Sequence, residues 1–349
     1  MKNINPLGLF DDHFLLEQLA KLGDPLKKLD NYIDWRIFEI PLNKAFNNNK
    51  NGKPKSGRPS FNKLVLFKGL IIQSLYNLSD DQLEYQILDR ASFRRFLGLK
   101  KSDKVPDSKT FWHFRKQLES KGIVRELFNT FNSILDSVGV LAHEGKILDA
   151  SFVKVPKQRN SRDDNQHIKK TGEAPESWNE KPAKKSQKDI DARWTKKNNT
   201  SYYGYKNHIK IDSETKIIEN YIITDASVHD SQVIEDLNTT KDQGQKLWAD
   251  SAYAGENQEE IYDRKNIINR VHEKGVRNTP LTDEQKTKNK EKSKTRVRVE
   301  HVFGFIENSM KKSFIRTIGI VRAETKIGLM NLTYNLCRCV QLNISVSRG

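Results

Sequence analysis

The hydrophobic pattern of the chain changes near residue 140, and this change limits the folds that the sequence can adopt. Before that point apolar residues recur at helical spacing, most clearly over residues 61–76. From Gly145 onward the spacing becomes two residues and the apolar runs become short, which is typical of strands. We therefore predict an all-α region over residues 1–140, followed by an α/β region over residues 141–349 in which helices flank a mixed sheet.

The charge of the chain favours a polyanionic partner. Its 349 residues include 61 Lys and Arg against 45 Asp and Glu, a formal net charge of +16, and so basic a protein typically binds nucleic acid. No apolar stretch of about 18 residues is present, so we expect no membrane span. The two cysteines, Cys337 and Cys339, are too few for a disulfide framework or a zinc site. We expect a reduced, cytoplasmic protein associated with the nucleoid.

Capping residues indicate where helices of the first region begin. Ser60 precedes the apolar segment 61–76, and Ser79 and Gln82 form the capping-box pattern that opens a further helix. Several short helices beside basic side chains suit a helix-turn-helix-like module that contacts DNA. A helical bundle that serves dimerisation is the alternative, and both interpretations remain open from the sequence.

The second region alternates short strands with helices. The predicted strands cover residues 146–155, 202–211, 217–224, 246–249 and 267–271. The predicted helices cover residues 230–237 and 297–311. Residues 160–200 lack an apolar period and are rich in Lys, Asp, Glu and Asn. We expect them to form a basic, partly flexible insertion between the first two strands.

Alternating basic residues mark one segment of the second region. They are Lys286, Lys288, Lys290, Lys292, Lys294, Arg296 and Arg298. In an extended chain all of these side chains would lie on one side, where they could contact the phosphate backbone of DNA. Such contacts supply affinity without reading the base sequence. The alternative is a solvated loop of no special purpose.

Three acidic residues lie at positions from which their carboxylates could meet in the fold. Asp149 lies within an apolar strand, Asp250 ends another apolar strand, and Glu300 lies on the last predicted helix. If the two strands are neighbours and the helix packs on them, the three carboxylates converge. Hard oxygen donors of this kind suit Mg²⁺ or Mn²⁺, and two such ions about 4 Å apart promote phosphoryl transfer. Each residue alone has a simpler explanation, as a turn residue, a cap or a solvated helix position.

Several blocks, in this order, carry a resemblance to a known family. They cover residues 88–99 and 106–115, the block around Asp149, and residues 189–197, 204–208, 224–231, 249–253 and 296–304. Together they resemble the DDE transposases of bacterial insertion sequences, in the group named after insertion sequence five. The sequence departs from the usual third motif at Ser293, where the family has Tyr, and at Glu307, where it has Lys.

The resemblance implies both a fold and a reaction. It implies an RNase H-like catalytic region in which Asp149, Asp250 and Glu300 bind Mg²⁺, in two ions, with Mn²⁺ as a substitute. It also implies that water cleaves the DNA at the terminal inverted repeats and that the freed 3′ hydroxyl attacks target DNA. A homodimer follows because two element ends must be joined. Arg296 matches the family's motif, and with Lys294 and Arg298 it is a candidate DNA contact.

Four further residues are candidate DNA contacts. Lys206 and His208 alternate on one face of the second predicted strand, so both could face DNA, although an exposed sheet face explains them equally well. His229 precedes a predicted helix, where it either contacts a phosphate or a triad carboxylate or caps the helix. Trp194, in the polar insertion, could stack on a splayed base.

The sequence therefore predicts a DNA transposase, with two alternatives. The first alternative is a metal-dependent nuclease of the same fold that performs no strand transfer. The second is a DNA-binding, repressor-like protein with an inactive pocket, against which the intact triad argues.

Overall fold

The computed structural model describes residues 11–46, 60–275, 279–311 and 313–347. The chain forms two compact units. The first unit contains the residues up to Val138 together with those from Asn335 onward, and the second unit contains Gly139–Tyr334. The C-terminal residues thus group with the first unit, whereas the sequence placed them in the second region.

The elements of the first unit that the structure describes are helical, apart from an isolated bridge between Ile33 and Val346. The α-helices are α1 (Asp11–Lys21), α2 (Pro25–Tyr32), α3 (Glu39–Phe46), α4 (Lys63–Tyr76), α5 (Asp80–Asp89), α6 (Ala91–Leu97), α7 (Ser108–Ser120) and α8 (Ile123–Ser137). A single 3₁₀ turn, Trp35–Phe38, separates α2 from α3. Its buried Phe38 packs 4.8 Å from Phe67 of α4, centroid to centroid, which anchors the turn in the core.

The N-cap of α5 is the residue that the sequence predicted, whereas the N-cap of α4 is a different residue. The side chains of Ser79 and Gln82 each bond the other's backbone N–H, so the predicted capping box is confirmed. The N-cap of α4 is Asn62, whose side chain accepts from the N–H of Leu64 at 2.8 Å, so the prediction of Ser60 was wrong. Both residues are polar and adjacent to the apolar segment, and Asn caps as well as Ser does.

A six-stranded mixed sheet forms the centre of the second unit. Its strands are β1 (Gly145–Lys154), β2 (Arg193–Lys197), β3 (Thr200–Asp212), β4 (Ile218–Asp225), β5 (Lys246–Trp248) and β6 (Ile268–Asn269). β3 is antiparallel to β1 on one side and to β2 and β4 on the other. β5 and β6 continue the sheet beyond β1, and both are parallel to it. This mixed sheet, flanked by helices, fits the predicted RNase H-like fold.

Helices of the second unit flank the sheet, and two of them lie in the segment 160–200. They are α9 (Arg162–Thr171), α10 (Pro182–Lys185), α11 (Ile234–Leu237), α12 (Glu256–Arg264), α13 (Asp283–Arg296), α14 (Arg298–Gly304) and α15 (Ile320–Gln341), which continues into the first unit. α14 runs on into a π-helical turn, Phe305–Ser309. One buried core combines Leu148 of β1 and Leu247 of β5 with Ile234 of α11 and Tyr262 of α12.

The segment 160–200 is more ordered than its composition suggested. It contains α9 and α10, and it ends in β2, which pairs with the first half of β3. Ser161 caps α9 through a capping box with Asp164. Local capping and an edge strand therefore give structure to a stretch without an apolar period.

The expectation that residues 286–298 form an extended chain was wrong. Most of them lie in α13, which Thr282 and Gln285 open with a capping box. Because a helix turns about 100° per residue, alternate side chains spread around its axis. Residues four apart share a face, so Lys286, Lys290 and Lys294 form one stripe in place of the predicted row of seven.

Candidate active site

Asp149 and Asp250 lie at matching positions on neighbouring parallel strands. The register of β1 with β5 runs to Ile147 opposite Trp248, and each aspartate follows two positions later on its own strand. The side chain of Asp149 is 13% exposed. Asp250 opens a 3₁₀ turn, and its Oδ1 accepts a hydrogen bond from the N–H of Ala252 at 2.8 Å. The sheet therefore brings two carboxylates together from distant parts of the chain.

Glu300 reaches the same place from α14, which packs against β1. Buried Val299 holds the helix, whereas the side chain of Glu300 is 56% exposed. Arg296 links the acids, because its Nη1 lies 3.0 Å from Oδ2 of Asp149 and its Nη2 lies 2.8 Å from Oε1 of Glu300. One guanidinium thus bridges two of the three predicted triad residues.

Burial changes the acidity of Asp149. It raises the pKa of Asp149 to about 6, and the nearby carboxylate of Asp250 acts in the same direction. The N–H of Ala150, at 2.8 Å from Oδ1, and the guanidinium of Arg296 lower the pKa but do not offset burial. The site therefore holds a carboxylate whose charge is costly unless a cation stands beside it.

Asp149→Asn is expected to stabilise the protein when neither DNA nor metal is present. The pKa of Asp149 is higher in the folded protein than in the unfolded chain, so the free energy of unfolding falls between about pH 4 and pH 6 and stays lower above that range. Asparagine removes that cost and keeps an acceptor for Ala150, so the melting temperature at pH 8 should rise by a few degrees, or about 1 to 2 kcal/mol.

Calorimetric scans in EDTA between pH 4 and pH 8 check this expectation. The difference between the variant and the wild type should shrink toward pH 4, because the folded carboxyl group is then neutral and the unfolded one is largely protonated too. A lower melting temperature for Asp149→Asn at pH 8 would show that the ion pair with Arg296 outweighs the cost of burial.

Lys206 and His208 are buried, so the expectation of an exposed sheet face was wrong. Lys206 is 8% exposed, and its Nζ donates to the carbonyl of Val228 at 2.6 Å and to Oδ1 of Asp230 at 2.8 Å. His208 is fully buried, and its Nε2 lies 2.9 Å from Oγ1 of Thr224. Burial lowers the pKa of His208 to about 4, so the ring is neutral. Both side chains are committed to the interior rather than to a ligand.

His229 and Trp194 are exposed, with different surroundings. His229 is the N-cap of the short helical segment that begins at Asp230, and its Nδ1 accepts from the N–H of Ser231 at 3.3 Å, which favours the capping interpretation. Trp194 lies on β2 with 45% of its surface exposed, beside the ring of Tyr203. An exposed indole on an edge strand remains a stacking candidate.

The two other basic candidates differ in their partners. Nη1 of Arg298 donates to the carbonyl of Ser213 at 2.8 Å and contacts the carboxylate of Glu214. Lys294 is exposed on α13. Arg298 therefore stabilises the β3–β4 turn, whereas Lys294 presents its charge to solvent.

Sequence reasoning missed three residues beside the acids. Asp230 fixes Lys206. The fully buried hydroxyl of Tyr253 has no hydrogen-bond partner among the described residues, and burial, followed by the charges of Asp149 and Asp230, raises its pKa. His272 follows β6, the next strand beyond that of Asp250. The predicted strand over 267–271 was the available signal for His272, because ends of adjacent parallel strands meet at one edge of a sheet.

Two family models match the chain. Residues 141–336 match the family described as "Transposase DDE domain". The chain belongs to this DDE transposase family. Residues 14–117 match a second family, described as "Transposase domain (DUF772)". The protein is accordingly an insertion-sequence-type transposase, an enzyme of DNA cleavage and transfer.

A solved structure is also similar to the chain. It is the cryo-EM structure of a piggyBac transposase synaptic complex with hairpin DNA, at 10% sequence identity and a TM-score of 0.44. The match covers 93% of this chain and 77% of the other.

The carboxylate oxygens of this transposase suit a divalent cation, although the three acids do not form a complete coordination site. Among the residues that the structure describes, no three His, Cys, Asp or Glu side chains form a group that could hold a metal ion. Asp149, within β1, and Asp250, just after the neighbouring β5, offer hard oxygen atoms, as Mg²⁺ prefers. Both Asp149 and Glu300 are bound to Arg296 in this arrangement. Within the described part of the chain, no helix is long and apolar enough to cross a membrane.

Proposed function

We propose that the protein is the transposase of a bacterial insertion sequence in the group named after insertion sequence five. It binds the terminal inverted repeats of the element, cleaves the DNA there by metal-dependent hydrolysis, and joins the freed 3′ hydroxyl ends to target DNA. The supporting observation is the register that sets Asp149 beside Asp250, with Glu300 linked to Asp149 through Arg296. Its place of action is the cytoplasm, at the nucleoid.

Asp149, Asp250 and Glu300 are the residues that would hold Mg²⁺, or Mn²⁺ in its place, in two ions. Bound there, such ions activate the attacking oxygen and stabilise the leaving oxygen of a phosphodiester. The buried carboxylate of Asp149 supplies negative charge in a poorly solvated place, where its attraction for a cation is strongest. The chain's own contribution is thus to hold costly charges at fixed positions on adjacent strands.

The proposed DNA contacts are Arg296, Arg298, Lys294 and Trp194. Lys206 and His208 are left out because they are buried, and His229 is left out because its ring caps a helix. We further propose that two copies of the chain act together, because joining requires two element ends.

The stripe on α13 provides a test of backbone contact. Replacing both Lys290 and Lys294 by Ala is expected to lower the steepness with which affinity for DNA falls with salt. Each lost phosphate contact reduces that slope by about 0.9, so the double variant should lose about 1.8. The preference for element ends over random DNA should stay the same, because phosphate contacts carry no sequence information.

Fluorescence anisotropy over a salt series measures both quantities. Lys288→Ala is the matched control, because Lys288 lies on another face of α13 and pairs with Glu284 at 2.7 Å. An unchanged slope in the double variant would remove α13 from the DNA interface.

The decisive experiment for the proposed function is a strand-transfer assay. The inverted repeats that flank the reading frame supply the end substrate, and Mg²⁺ and a target plasmid complete the reaction. Joined product supports the transposase. Cleavage without joined product favours a nuclease of the same fold, and binding without any cleavage favours a repressor-like protein.

A further inference from the structure

The backbone places His272 directly opposite Asp250. The N–H of Ile268 donates to the carbonyl of Gln245, the bond that accompanies the pairing of Ile268 with Lys246. The same bond recurs further along, from the N–H of His272 to the carbonyl of Ala249 at 3.1 Å. The parallel ladder therefore continues past β6 and pairs His272 with Asp250.

Three adjacent parallel strands consequently carry functional groups in one row. Asp149 lies within β1, Asp250 follows β5, and His272 follows β6. The imidazole also lines an open cavity of about 520 Å³, whose wall includes Ala254 and Gly255, just after the turn that Asp250 opens. A group bound at the two aspartates would have the histidine at its side.

A serine of α13 determines which ring nitrogen of His272 carries the proton. Nε2 lies 3.2 Å from Oγ of Ser293, and that hydroxyl donates its single proton to the carbonyl of Asn289 at 2.8 Å. Nε2 must therefore be the donor, so Nδ1 keeps a lone pair. The helix itself is fixed, because the side chain of Asn289 makes two bonds with the backbone of Glu273, at 2.9 and 3.0 Å.

Burial favours the neutral form of the ring. Burial is the main cause that lowers the pKa of His272, and the cations of Arg296 and Lys292 on α13 lower it further. The carboxylate of Asp250 acts in the opposite direction and does not prevail. A neutral ring whose Nε2 is occupied can only accept a hydrogen bond at Nδ1.

We propose that His272 is a fourth active-site residue, whose Nδ1 accepts a hydrogen bond from the DNA 3′ hydroxyl beside Asp250 and so orients it for joining. The inference rests on the proposed function, because it requires a cleaved element end in the site. The contact moves no proton by itself and leaves the hydroxyl intact. It directs the oxygen lone pairs toward the target phosphodiester, which matters because a misplacement of about 1 Å costs a reaction roughly a hundredfold.

Two replacements separate this role from a purely structural one. In His272→Asn, Oδ1 is attached to Cγ as Nδ1 is, so it still accepts a hydrogen bond there but cannot reach Ser293. In His272→Gln, the terminal amide can still donate to Ser293, but no acceptor stands at the place of Nδ1. Ser293→Ala removes the anchor alone and reports its separate effect.

The experiment measures binding of pre-cleaved element ends in EDTA, with either a 3′ hydroxyl or a 3′ hydrogen on the terminal sugar. The wild type should bind the hydroxyl-ended DNA about fivefold more tightly, the usual worth of one hydrogen bond. His272→Asn should keep most of this preference, and His272→Gln should lose it. In strand transfer with Mg²⁺, His272→Gln should lose kcat about a hundredfold, whereas its KM for DNA should rise by about fivefold at most.

The outcomes distinguish this inference from the proposed function. Equal wild-type affinity for the two kinds of end, or a preference that His272→Gln keeps and His272→Asn loses, would overturn the role of Nδ1 and leave the transposase intact. Failure of the wild type to bind either end more tightly than random DNA would overturn the proposed function and this inference with it.

Discussion

Asp250→Asn is expected to abolish both DNA cleavage and strand transfer, with a loss on the order of a thousandfold or more. The carboxylate lies beside Asp149 at the end of β5, where the proposed reaction needs fixed negative charge. Loss of a metal ligand removes several kcal/mol of transition-state stabilisation, and about 4 kcal/mol corresponds to a thousandfold in rate. Asparagine keeps the shape of the side chain but not its charge.

The same replacement should leave the fold unchanged. Asp250 caps a 3₁₀ turn by accepting from the N–H of Ala252, and asparagine serves equally well as an N-cap. Asp236→Asn is the control, because it makes the identical chemical change at an exposed position of α11. Rates measured on end-containing DNA in Mg²⁺, with melting curves for each variant, provide the comparison. Cleavage by Asp250→Asn at even a tenth of the wild-type rate would exclude Asp250 from the chemistry.

The sheet was predictable because its strands have clear patterns. Alternating apolar residues marked β1, β3 and β4, and the observed strands lie within a few residues of the predicted ones. α13 was not predictable in the same way, because it has no buried residue and thus no apolar stripe to reveal its helical period. Only the capping pair Thr282 and Gln285 indicated that the segment was a helix, and the alternating charges concealed it.

The candidate site was predictable only in part. Asp149 was conspicuous as an acid inside an apolar strand, since a buried carboxylate is costly without a function. Its pairing with Arg296 could not be foreseen, because a contact between residues 147 positions apart depends on how α13 and α14 meet β1. Lys206 and His208 alternated as an exposed face would. Inside the protein, however, Asp230 pairs with Lys206 and Thr224 bonds Nε2 of His208, and no local pattern shows such distant partners.

Arg296→Gln is expected to weaken cleavage of element ends by roughly 10- to 100-fold and to tighten Mn²⁺ binding by the DNA-free protein by roughly tenfold or more. The first effect follows from the loss of hydrogen bonds between a charged guanidinium and a phosphate, each worth about 1.5 to 3 kcal/mol. The second follows because the guanidinium lies 3.0 Å from Asp149 and 2.8 Å from Glu300 and repels a cation that approaches them. Titration calorimetry and end-cleavage rates measure the two effects separately.

Two further variants identify which property of Arg296 is responsible. Arg298→Gln removes the same charge from a side chain that pairs with Glu214 instead, so it should leave Mn²⁺ affinity nearly unchanged. Arg296→Lys keeps the charge but loses the planar fork that spans two carboxylates, so its Mn²⁺ affinity should lie between those of the wild type and Arg296→Gln. If Arg296→Gln bound Mn²⁺ no better than the wild type, the guanidinium would not compete for Asp149 and Glu300. Cleavage weakens while Mn²⁺ binding tightens because the guanidinium of Arg296 faces carboxylates in the free protein and a phosphate in the complex.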